Sequence, residues 1–288
     1  MARRRLDLEM VRRGLAESRE IAQSLIKSGK VLVSGSSALK PSRLVEASQP
    51  LQVIDPPPKY VSRAGRKLEA ALETFEVEVN SSRCIDIGAS TGGFTDCLLQ
   101  NGAESVLAVD VGRAQIHERL VANQRVEVLE QTDVRALVPE EVGAPFKVLT
   151  ADLAFISLRT VMGNLFPLVK KGSDMLLLVK PQFEAGKKAV DAGRGVIRDP
   201  EIWEEVLKNV QGSVNAHDGA IMKCMPSPIK GSEGNVEFFL HVMPEVKQRQ
   251  LEISKVVSLA VEQGEDCLEK SDFSFMNFDL KLYQIQLS

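Results

Sequence analysis

The chain has 288 residues, of which 44% are hydrophobic and 26% are charged, as is typical of globular proteins. This length suits one large domain together with a small one. The longest uninterrupted apolar run, 175–179, is far shorter than the roughly 20 residues that a membrane-spanning helix needs. The basic N-terminus is not followed by an apolar stretch, so it lacks the pattern of a secretory signal. We therefore expect a cytoplasmic protein without a membrane partner.

Charge is distributed unevenly along the chain. Residues 1–67 contain 14 Lys and Arg against 6 Asp and Glu, whereas residues 68–288 contain 22 against 33. A basic segment on an acidic body indicates a polyanionic partner for that segment, with a solvated charged surface as the alternative. The 4 cysteines have no Cys-x-x-Cys spacing and the chain has 3 His, so we expect neither a metal site nor a disulfide scaffold.

Residues 1–55 have the pattern of a small α+β domain. One helix is expected to begin after Ser18, a favourable N-cap residue, and to end before Gly29, because glycine commonly closes a helix. The proline-rich segment 56–60 favours an extended chain, so we interpret it as a linker at the domain boundary. A further helix is expected at 6–11, and strands at 31–33 and 51–54.

In residues 61–243, short apolar runs alternate with longer amphipathic stretches. This alternation predicts an α/β, Rossmann-like fold with a mainly parallel, seven-stranded sheet and helices on both faces. Residues 244–288 do not continue the pattern, and beyond a helix at 251–261 they receive no assignment. The expected strands are 84–87, 105–109, 126–129, 148–151, 175–179, 220–225 and 236–242, and the expected helices are 66–75, 94–101, 116–122, 157–165 and 200–210.

A glycine-rich segment, DIGASTGGFT at 86–95, follows the first of these strands and opens a helix. Glycines in this setting permit a tight turn and a close approach of ligand to backbone, and the N–H groups at the helix start favour a polar or anionic ligand. After the next strand, Asp110 is placed to accept hydrogen bonds from ribose hydroxyls. Asp133, after the third strand, lies where the base of a nucleoside is expected.

The spacing of these glycines distinguishes between nucleotide cofactors. A dinucleotide site favours G-x-G-x-x-G, whereas the chain has G-x-x-x-G-G, the looser form found where no pyrophosphate has to be bound. We therefore predict an S-adenosylmethionine-dependent methyltransferase, with an ordinary strand–helix turn as the alternative. The predicted cofactor-binding residues are Asp86, Gly88, Ser90, Gly92, Gly93, Phe94, Asp110, Asp133 and Asp152.

Four ionisable residues lie at the edges of expected elements where apolar surroundings are expected: Lys67, Asp152, Lys180 and Glu237. Because ligands bind at the carboxyl ends of strands in an open α/β sheet, Asp152 and Lys180 should share one crevice beside the glycine-rich segment. A sulfonium supplies a reactive methyl group, so the protein must mainly orient and deprotonate the nucleophile. A buried lysine can act as base, and carboxylates can hold lysines in position. The set favours a hydroxyl as methyl acceptor, with a structural ion-pair network as the alternative.

Other methyl acceptors fit the sequence less well. Methylation of an adenine amino group often uses an Asn/Asp-Pro-Pro-aromatic turn after the fourth strand, but 152–155 is DLAF, without proline. Methylation of a pyrimidine carbon needs a nucleophilic cysteine. No cysteine is expected at a strand end in the crevice, although Cys224 comes closest.

The motifs together resemble a known family. Residues 1–243 resemble the TlyA-type proteins, often labelled hemolysin A, which methylate ribosomal RNA at ribose 2′-hydroxyls. The N-terminal part is similar to an RNA-binding domain first seen in a ribosomal protein, and the remainder to the FtsJ/RrmJ ribose methyltransferases. The segments that carry the resemblance are 5–19 and 29–33 in the first part, and YVSR (60–63), DIGASTGGFT (86–95), VKPQFE (179–184), GVIRD (195–199), SPIKG (227–231) and GNVE (234–237) in the second.

The resemblance implies a Lys-Asp-Lys-Glu catalytic tetrad. By motif position it falls on the four ionisable residues already singled out, with Lys180 as the base and Lys67 as its electrostatic partner. Two positions depart from the family pattern, since Ala64 stands where glycine is expected and Ala154 where serine is expected. Both replacements exchange one small residue for another.

The resemblance also implies a partner, ribosomal RNA or a ribosomal subunit, held mainly through phosphate contacts. We favour a monomer. A non-catalytic RNA-binding or ribosome assembly factor is one alternative, although the complete tetrad argues against it. A pore-forming hemolysin is another, but it would need membrane-spanning segments that we do not find. The predicted RNA-binding residues are Arg3, Arg4, Arg5, Arg12, Arg13, Arg19, Lys27, Lys30 and Arg63.

Overall fold

The chain divides into two compact units, Met1–Lys59 and Tyr60–Ser288. Pro56 and Pro57 of the expected linker, and residues 270–288 of the expected tail, lie outside the described residues. The structure is a computed structural model that describes residues 3–16, 18–54, 58–247 and 251–269.

The first unit contains two short helices and two small antiparallel sheets. Strand β1 pairs with β4, while β2 lies between β3 and β5 in a three-stranded sheet. The helices bury apolar side chains such as Met10 and Ile26 against Val31 and Val45. The predicted small α+β domain is therefore confirmed. Its elements are β1 (Arg3–Arg5), α1 (Leu6–Arg12), α2 (Arg19–Lys27), β2 (Val31–Val33), β3 (Ser36–Ser37), β4 (Leu44–Glu46) and β5 (Leu51–Val53).

Both ends of α2 follow the sequence prediction. The Ser18 side chain accepts a hydrogen bond from the backbone N–H of Ile21 at 3.3 Å, which satisfies one of the unpaired donors of the first turn. Beyond the other end, Gly29 adopts a φ of +74°, in the left-handed region that glycine enters without a steric penalty. Local capping chemistry thus sets the bounds of this helix.

The second unit contains one large sheet with helices on both faces. Its strands are β6 (Arg83–Ile87), β7 (Ser105–Val109), β8 (Val126–Leu129), β9 (Phe146–Ala151), β10 (Val169–Val179), β11 (Gly219–Pro226) and β12 (Phe238–Pro244). Its helices are α3 (Ala64–Phe75), α4 (Gly93–Gln100), α5 (Glu118–Val121), α6 (Leu158–Leu165), α7 (Pro181–Glu184), α8 (Lys187–Ala192), α9 (Pro200–Ala216) and α10 (Ile253–Glu269).

The sheet has the strand order β11-β12-β10-β9-β6-β7-β8. Strands β10, β9, β6, β7 and β8 are parallel neighbours, and β12 runs antiparallel to both β10 and β11. From the central strand β6 the chain moves outward through β7 and β8, then returns to the other side of β6 with β9. This reversal creates a crevice between the loops that follow β6 and β9. The predicted seven-stranded Rossmann-like sheet is confirmed.

Alternating side chains bury both faces of the sheet. On β10, Leu176 and Leu178 join a cluster with residues of α3, α4 and α5, whereas Met175 and Leu177 join a cluster with α6, α9 and α10. The predicted helix at 251–261 begins at Ile253 and extends to Glu269 as α10. None of the helices in the described part of the chain combines the length and apolar character that a membrane span requires.

Candidate active site

The four predicted catalytic side chains meet at one edge of the sheet. Asp152 follows β9 and Lys180 follows β10, two parallel neighbours whose carboxyl ends lie side by side. Because β12 runs in the opposite direction, Glu237, the residue before it, lies at the same edge. Lys67 comes from the buried face of α3. All four line one cavity of about 330 Å³, together with the glycine-rich loop at 88–94.

These side chains form two lysine–carboxylate pairs that differ in burial. Lys67 Nζ donates a hydrogen bond to Glu237 Oε2 at 2.5 Å, and the two side chains are 7% and 3% exposed. Lys180 Nζ lies 2.6 Å from Asp152 Oδ1, with 13% and 17% of the side chains exposed. Within the described residues this second contact lacks the alignment of a hydrogen bond, so Oδ1 has no hydrogen-bond partner. The first pair is therefore the more rigid, and the second is the more accessible from the cavity.

The glycine-rich loop lies directly against Asp152. Gly88 has a φ of +80°, and a Cβ at this position would be 2.6 Å from the backbone oxygen of Asp152. The backbone N–H of Asp152 in turn donates to the Ile87 oxygen at 3.0 Å. A side chain at position 88 would separate the loops that follow β6 and β9. Gly88 thus allows the loop and the acidic residue to share one cavity.

Helix α4 begins at the cavity, and its N-cap residue, Gly92, has no side chain to cap it, while the buried Asp86 carboxylate accepts the backbone N–H of Thr95 in the first turn. Gly93 and Phe94, its first two residues, line the cavity. A Cβ on Gly93 would collide with the Ser62 hydroxyl and crowd the Ala64 methyl group. With alanine at position 64, Gly93 must remain without a side chain. The start of the helix at Gly93 and Phe94 offers donors and a positive dipole end to a polar ligand.

Asp110, which we predict to bind ribose hydroxyls, lies beside the loop. Its Oδ2 accepts the backbone N–H of Ser90 at 2.8 Å, and its Oδ1 accepts that of Gly112 at 2.6 Å. Since each carboxylate oxygen has two lone pairs, both oxygens can still accept a hydrogen bond from a ligand. Asp110 is therefore fixed by backbone donors on one side of the loop.

Other predicted cofactor-binding residues lie away from the cavity surface. Asp86 is fully buried beneath the loop, where Thr95 and Thr150 donate to its two oxygens at 2.7 and 2.8 Å, and burial raises its pKa to about 6. Asp133 caps a 3-10 turn and pairs with Arg135, which lowers its pKa to about 2. In the part of the chain that the structure describes, the cavity lining includes Gly88, Ser90, Gly93, Phe94 and Asp152, but not Asp86, Gly92, Asp110 or Asp133.

The same arrangement of motifs is found in known proteins. An FtsJ-like methyltransferase model matches residues 60–243, and an S4 domain model matches residues 4–50. The chain belongs to the FtsJ-like methyltransferase family. The predicted resemblance to TlyA-type proteins is thereby confirmed, and the S4 match covers most of the small N-terminal unit.

Relatives of this methyltransferase carry two kinds of name. The chain is 45% identical over 242 residues to the 16S/23S rRNA (cytidine-2′-O)-methyltransferase TlyA of Mycobacterium tuberculosis, covering 83% of this chain and 90% of the relative. It is 37% identical over 238 residues to Hemolysin A of Brachyspira hyodysenteriae, covering 82% and 98% of the two chains. A solved Streptococcus thermophilus structure with the hemolysin name has 35% identity and a TM-score of 0.71, covering 94% of this chain and 100% of that one.

An exposed aromatic residue beside the methyltransferase cavity was not predicted. Phe155 is 92% exposed and has a φ of +65°, in the left-handed region that non-glycine residues rarely adopt. Its ring lies 5.3 Å from the ring of Phe183, and Lys180 Nζ lies 6.0 Å from the Phe183 centroid. The sequence analysis considered 152–155 only for its lack of proline. An aromatic residue so soon after an acidic strand end is the signal that could have identified it.

Gly231 and Ser232, in the loop before β12, also line the cavity and were not predicted as site residues. A Cβ on Gly231 would be 2.7 Å from Glu237 Oε1. Gly231 therefore leaves the space that the Glu237 carboxylate occupies. The glycine of the SPIKG segment was the signal available in the sequence. A glycine is needed there because of a contact with Glu237, six positions later in the chain.

The predicted RNA-binding cations of the S4 domain fall into two groups. Arg13 donates to Glu9 and to three backbone oxygens of the 46–49 turn, so its guanidinium has a structural role. Arg12 also pairs with Glu9, Arg5 and Arg19 pair with Asp7, and Arg3 pairs with Glu46. Arg4 and Lys27 are exposed and Lys30 is half-buried, while in the methyltransferase unit Arg63 is exposed and lines the cavity.

Proposed function

We propose that this protein transfers a methyl group from S-adenosylmethionine to a ribose 2′-hydroxyl of ribosomal RNA, with Lys180 as the base. The observation that carries the proposal is the convergence of two lysine–carboxylate pairs and the glycine-rich loop in one cavity. The Mycobacterium tuberculosis relative, named as a cytidine 2′-O-methyltransferase of 16S and 23S rRNA, supports this choice of substrate. The S4 match supports RNA as the partner.

The residues present fit S-adenosylmethionine. The start of α4 at Gly93 and Phe94, which lines the cavity, suits the carboxylate of the cofactor's amino-acid end, and the Asp110 carboxylate beside Ser90 suits its ribose hydroxyls. The cofactor site would be lined by Gly88, Gly93 and Phe94. Asp86 and Gly92 would support the loop from outside the site, and Asp133 would lie toward the nucleoside base of the cofactor. When bound, the cofactor supplies a methyl group on a sulfonium, which needs no acid catalysis.

Each catalytic side chain then has a separate role. The Lys180 amine accepts the proton of the 2′-hydroxyl on its Nζ, and Asp152, 2.6 Å away, stabilises the ammonium that results. Lys67, fixed by Glu237, contributes a positive charge that stabilises the oxygen as it becomes negative. The burial of Lys67 and Glu237 strengthens their interactions, because fewer water molecules screen them.

The aromatic pair Phe155–Phe183 gives the cavity a surface for a nucleotide base. Proteins that recognise unpaired nucleotides in structured RNA commonly stack the unstacked bases on aromatic side chains. Phe155 presents an almost fully exposed ring next to that of Phe183, whose other neighbour is Lys180 Nζ at 6.0 Å. We assign the base of the methylated nucleotide to this ring, and its neighbouring phosphate to Arg63 at the cavity.

The S4 domain would bind RNA through phosphates. Arg4 and Lys27 are exposed and suited to direct contacts, while the paired arginines Arg5, Arg12 and Arg19 keep partly exposed guanidinium groups. Such contacts position an RNA without selecting its sequence and weaken as salt increases. Arg13 acts mainly by holding the domain together.

The test is methyl transfer to ribosomal subunits from a strain that lacks the gene. Labelled S-adenosylmethionine should transfer its methyl group, and mass spectrometry of the digested RNA should identify a 2′-O-methylated nucleoside. The Lys180→Ala variant should lose transfer but retain RNA binding. A methylated base would contradict the proposed acceptor. Tight RNA binding by the wild type without any transfer would instead indicate the non-catalytic assembly factor.

A further inference from the structure

Glu184, at the end of α7, is a buried carboxylate that has no role in the proposed reaction. It is 6% exposed. Its Oε1 accepts the backbone N–H of Leu158 at 2.6 Å, and its Oε2 accepts the Ser157 hydroxyl at 2.5 Å and Arg159 Nε at 3.2 Å. Arg159 also donates to the Glu184 backbone oxygen at 2.9 Å. The carboxylate of one segment thus caps the N-terminus of α6, which belongs to another.

These hydrogen bonds are the last of three contacts between two segments at the edge of the sheet that carries Asp152 and Lys180. The first segment is the 152–157 loop after β9, and the second is 180–184 after β10. Their starts meet where Lys180 contacts Asp152. Their middles meet where the ring of Phe155 packs on that of Phe183, and their ends meet at Glu184. The Glu184 carboxylate therefore makes the contact that lies farthest along both segments from the strand ends.

The backbone of the 152–157 loop needs such a connection. Phe155 has a φ of +65°, which is sterically unfavourable for a residue with a large side chain. Strained conformations of this kind persist when the surrounding structure fixes them, and they are common at functional sites. One end of the loop is held by the Asp152 N–H on Ile87 and the other by Glu184. The Phe155 ring between these two ends is 92% exposed, so contacts on its solvent side do not fix its position.

We propose that Glu184 is a positioning residue for RNA methylation, which holds the 152–157 loop in the conformation that presents Phe155 beside Lys180. This inference rests on the proposed function, in which Phe155 receives the base of the methylated nucleotide. The carboxylate does not touch RNA or cofactor. Its effect on methylation should therefore depend on the presence of the Phe155 ring, whereas a simple helix cap would act on folding alone.

The change that tests this role is Glu184→Gln, which keeps the size of the side chain but removes its charge and one of its two acceptor oxygens. We expect kcat/KM for RNA to fall about 10-fold, within the range of coupling between contacting residues. The affinity for S-adenosylmethionine, measured by calorimetry, should stay the same. In the Phe155→Ala background, Glu184→Gln should change kcat/KM by less than about 2-fold.

A matched control is Asp174→Asn, which alters a partly buried carboxylate on β10, the strand that precedes Lys180. Asp174 pairs with His241 and Lys147 and lies opposite Val148, near the start of β9, whereas the 152–157 loop follows the other end of that strand. This variant should lower the melting temperature but leave kcat/KM for RNA unchanged where the protein is folded. Ser157→Ala removes one donor to Glu184 and is the milder variant to use if Glu184→Gln does not fold. It should show the same dependence on Phe155 with a smaller effect.

The outcomes separate this inference from the function on which it rests. If the wild type methylates RNA but Glu184→Gln or Ser157→Ala lowers kcat/KM equally with and without Phe155, the positioning role is wrong and the proposed function stands. If the wild type transfers no methyl group to RNA, both are wrong. A loss that disappears in the Phe155→Ala background supports both.

Discussion

The S4 domain and the methyltransferase cavity each place an aspartate beside cations, but they satisfy its carboxylate differently. In the S4 domain, Asp7 is fully buried and accepts hydrogen bonds from Arg5, Arg19, Gln23 and the Leu8 N–H. In the cavity, Asp152 has its nearest cation 2.6 Å away without an aligned hydrogen bond. The first carboxylate has its hydrogen-bonding capacity filled by the fold itself. The second retains capacity for a substrate or for a proton in transfer.

In the proposed mechanism this difference separates structural charges from reactive ones. A buried polar network that is fully satisfied fixes one conformation, whereas an incompletely satisfied group in a cavity is a feature of functional sites. The composition of the two regions is similar, since both combine acidic and basic side chains. The exposure of each carboxylate and the number of aligned hydrogen-bond donors around it distinguish the two regions. The following experiments depend on that distinction.

The largest effect is expected from Lys67→Met, which leaves the Glu237 carboxylate buried without its cation. Breaking one partner of a buried pair costs about 3–5 kcal/mol, so the free energy of unfolding should fall by that order. Methyl transfer should fall at least about 100-fold, because a charge beside the reacting oxygen is lost. Urea denaturation and single-turnover transfer measure the two quantities.

The double variant Lys67→Met/Glu237→Gln is the control for Lys67→Met. It removes both charges and should recover most of the stability without recovering transfer. Recovery of transfer would show that this pair is structural, like the network around Asp7, and would remove Lys67 from the mechanism.

The stability of the two units should depend on pH in opposite directions, and these effects should be smaller than that of Lys67→Met. Burial raises the pKa of Asp86 to about 6, above its ordinary value, so folding favours its protonated form. The stability from this group is present below about pH 4 and lost as the pH rises through about 6, a change on the order of 1–3 kcal/mol. Unfolding of Asp86→Asn should therefore depend less on pH between 4 and 7. If unfolding of the wild type and of Asp86→Asn depended on pH in the same way, the raised pKa of Asp86 would be contradicted.

The S4 domain should show the reverse behaviour. Its arginines hold the pKa of Asp7 well below the usual range and lower that of Glu9 to about 2. Their stabilisation is present above about pH 4 and is lost as the pH falls toward the lowered values. The protection factors of the α1 amides against hydrogen exchange should therefore fall on acidification below pH 4. Unchanged protection of α1 at pH 2.5 would contradict this account.

The smallest effect is expected from Lys27→Ala on the surface of the S4 domain. RNA affinity should fall a few-fold, and the slope of log affinity against log salt should decrease by about one. Arg13→Ala is the comparison, because Arg13 holds the 46–49 turn and its loss should destabilise the domain. Equal effects of both changes on stability would remove the distinction between binding and structural cations.

The sequence predicted elements with clear apolar runs more accurately than those without them. The bounds of β7 and β8 agree with the prediction residue for residue. Strand β10, expected at 175–179, begins at Val169, since it continues past two exposed lysines and Gly172 through a shift in its pairing with β9. The helices α7 and α8, of 4 and 6 residues, were not predicted, because they are too short to show a helical period.

Residues of the candidate site could likewise be predicted only where a general feature of the fold places them. The convergence of Asp152 and Lys180 could be predicted, because parallel strands bring their carboxyl ends to one edge. The exposed ring of Phe155 could not, because it depends on a single left-handed backbone conformation that no pattern in the sequence specifies. The Arg135 partner of Asp133 likewise depends on the local geometry of a turn.

The most direct test of the central claim is single-turnover methyl transfer by Lys180→Arg at saturating S-adenosylmethionine and RNA. Arginine keeps the positive charge that contacts Asp152 but does not give up a proton in proteins, so it cannot act as a base. We expect transfer to fall at least about 100-fold while both ligands still bind. A rate within a few-fold of the wild type would show that Lys180 acts only through its charge and would contradict the proposed mechanism.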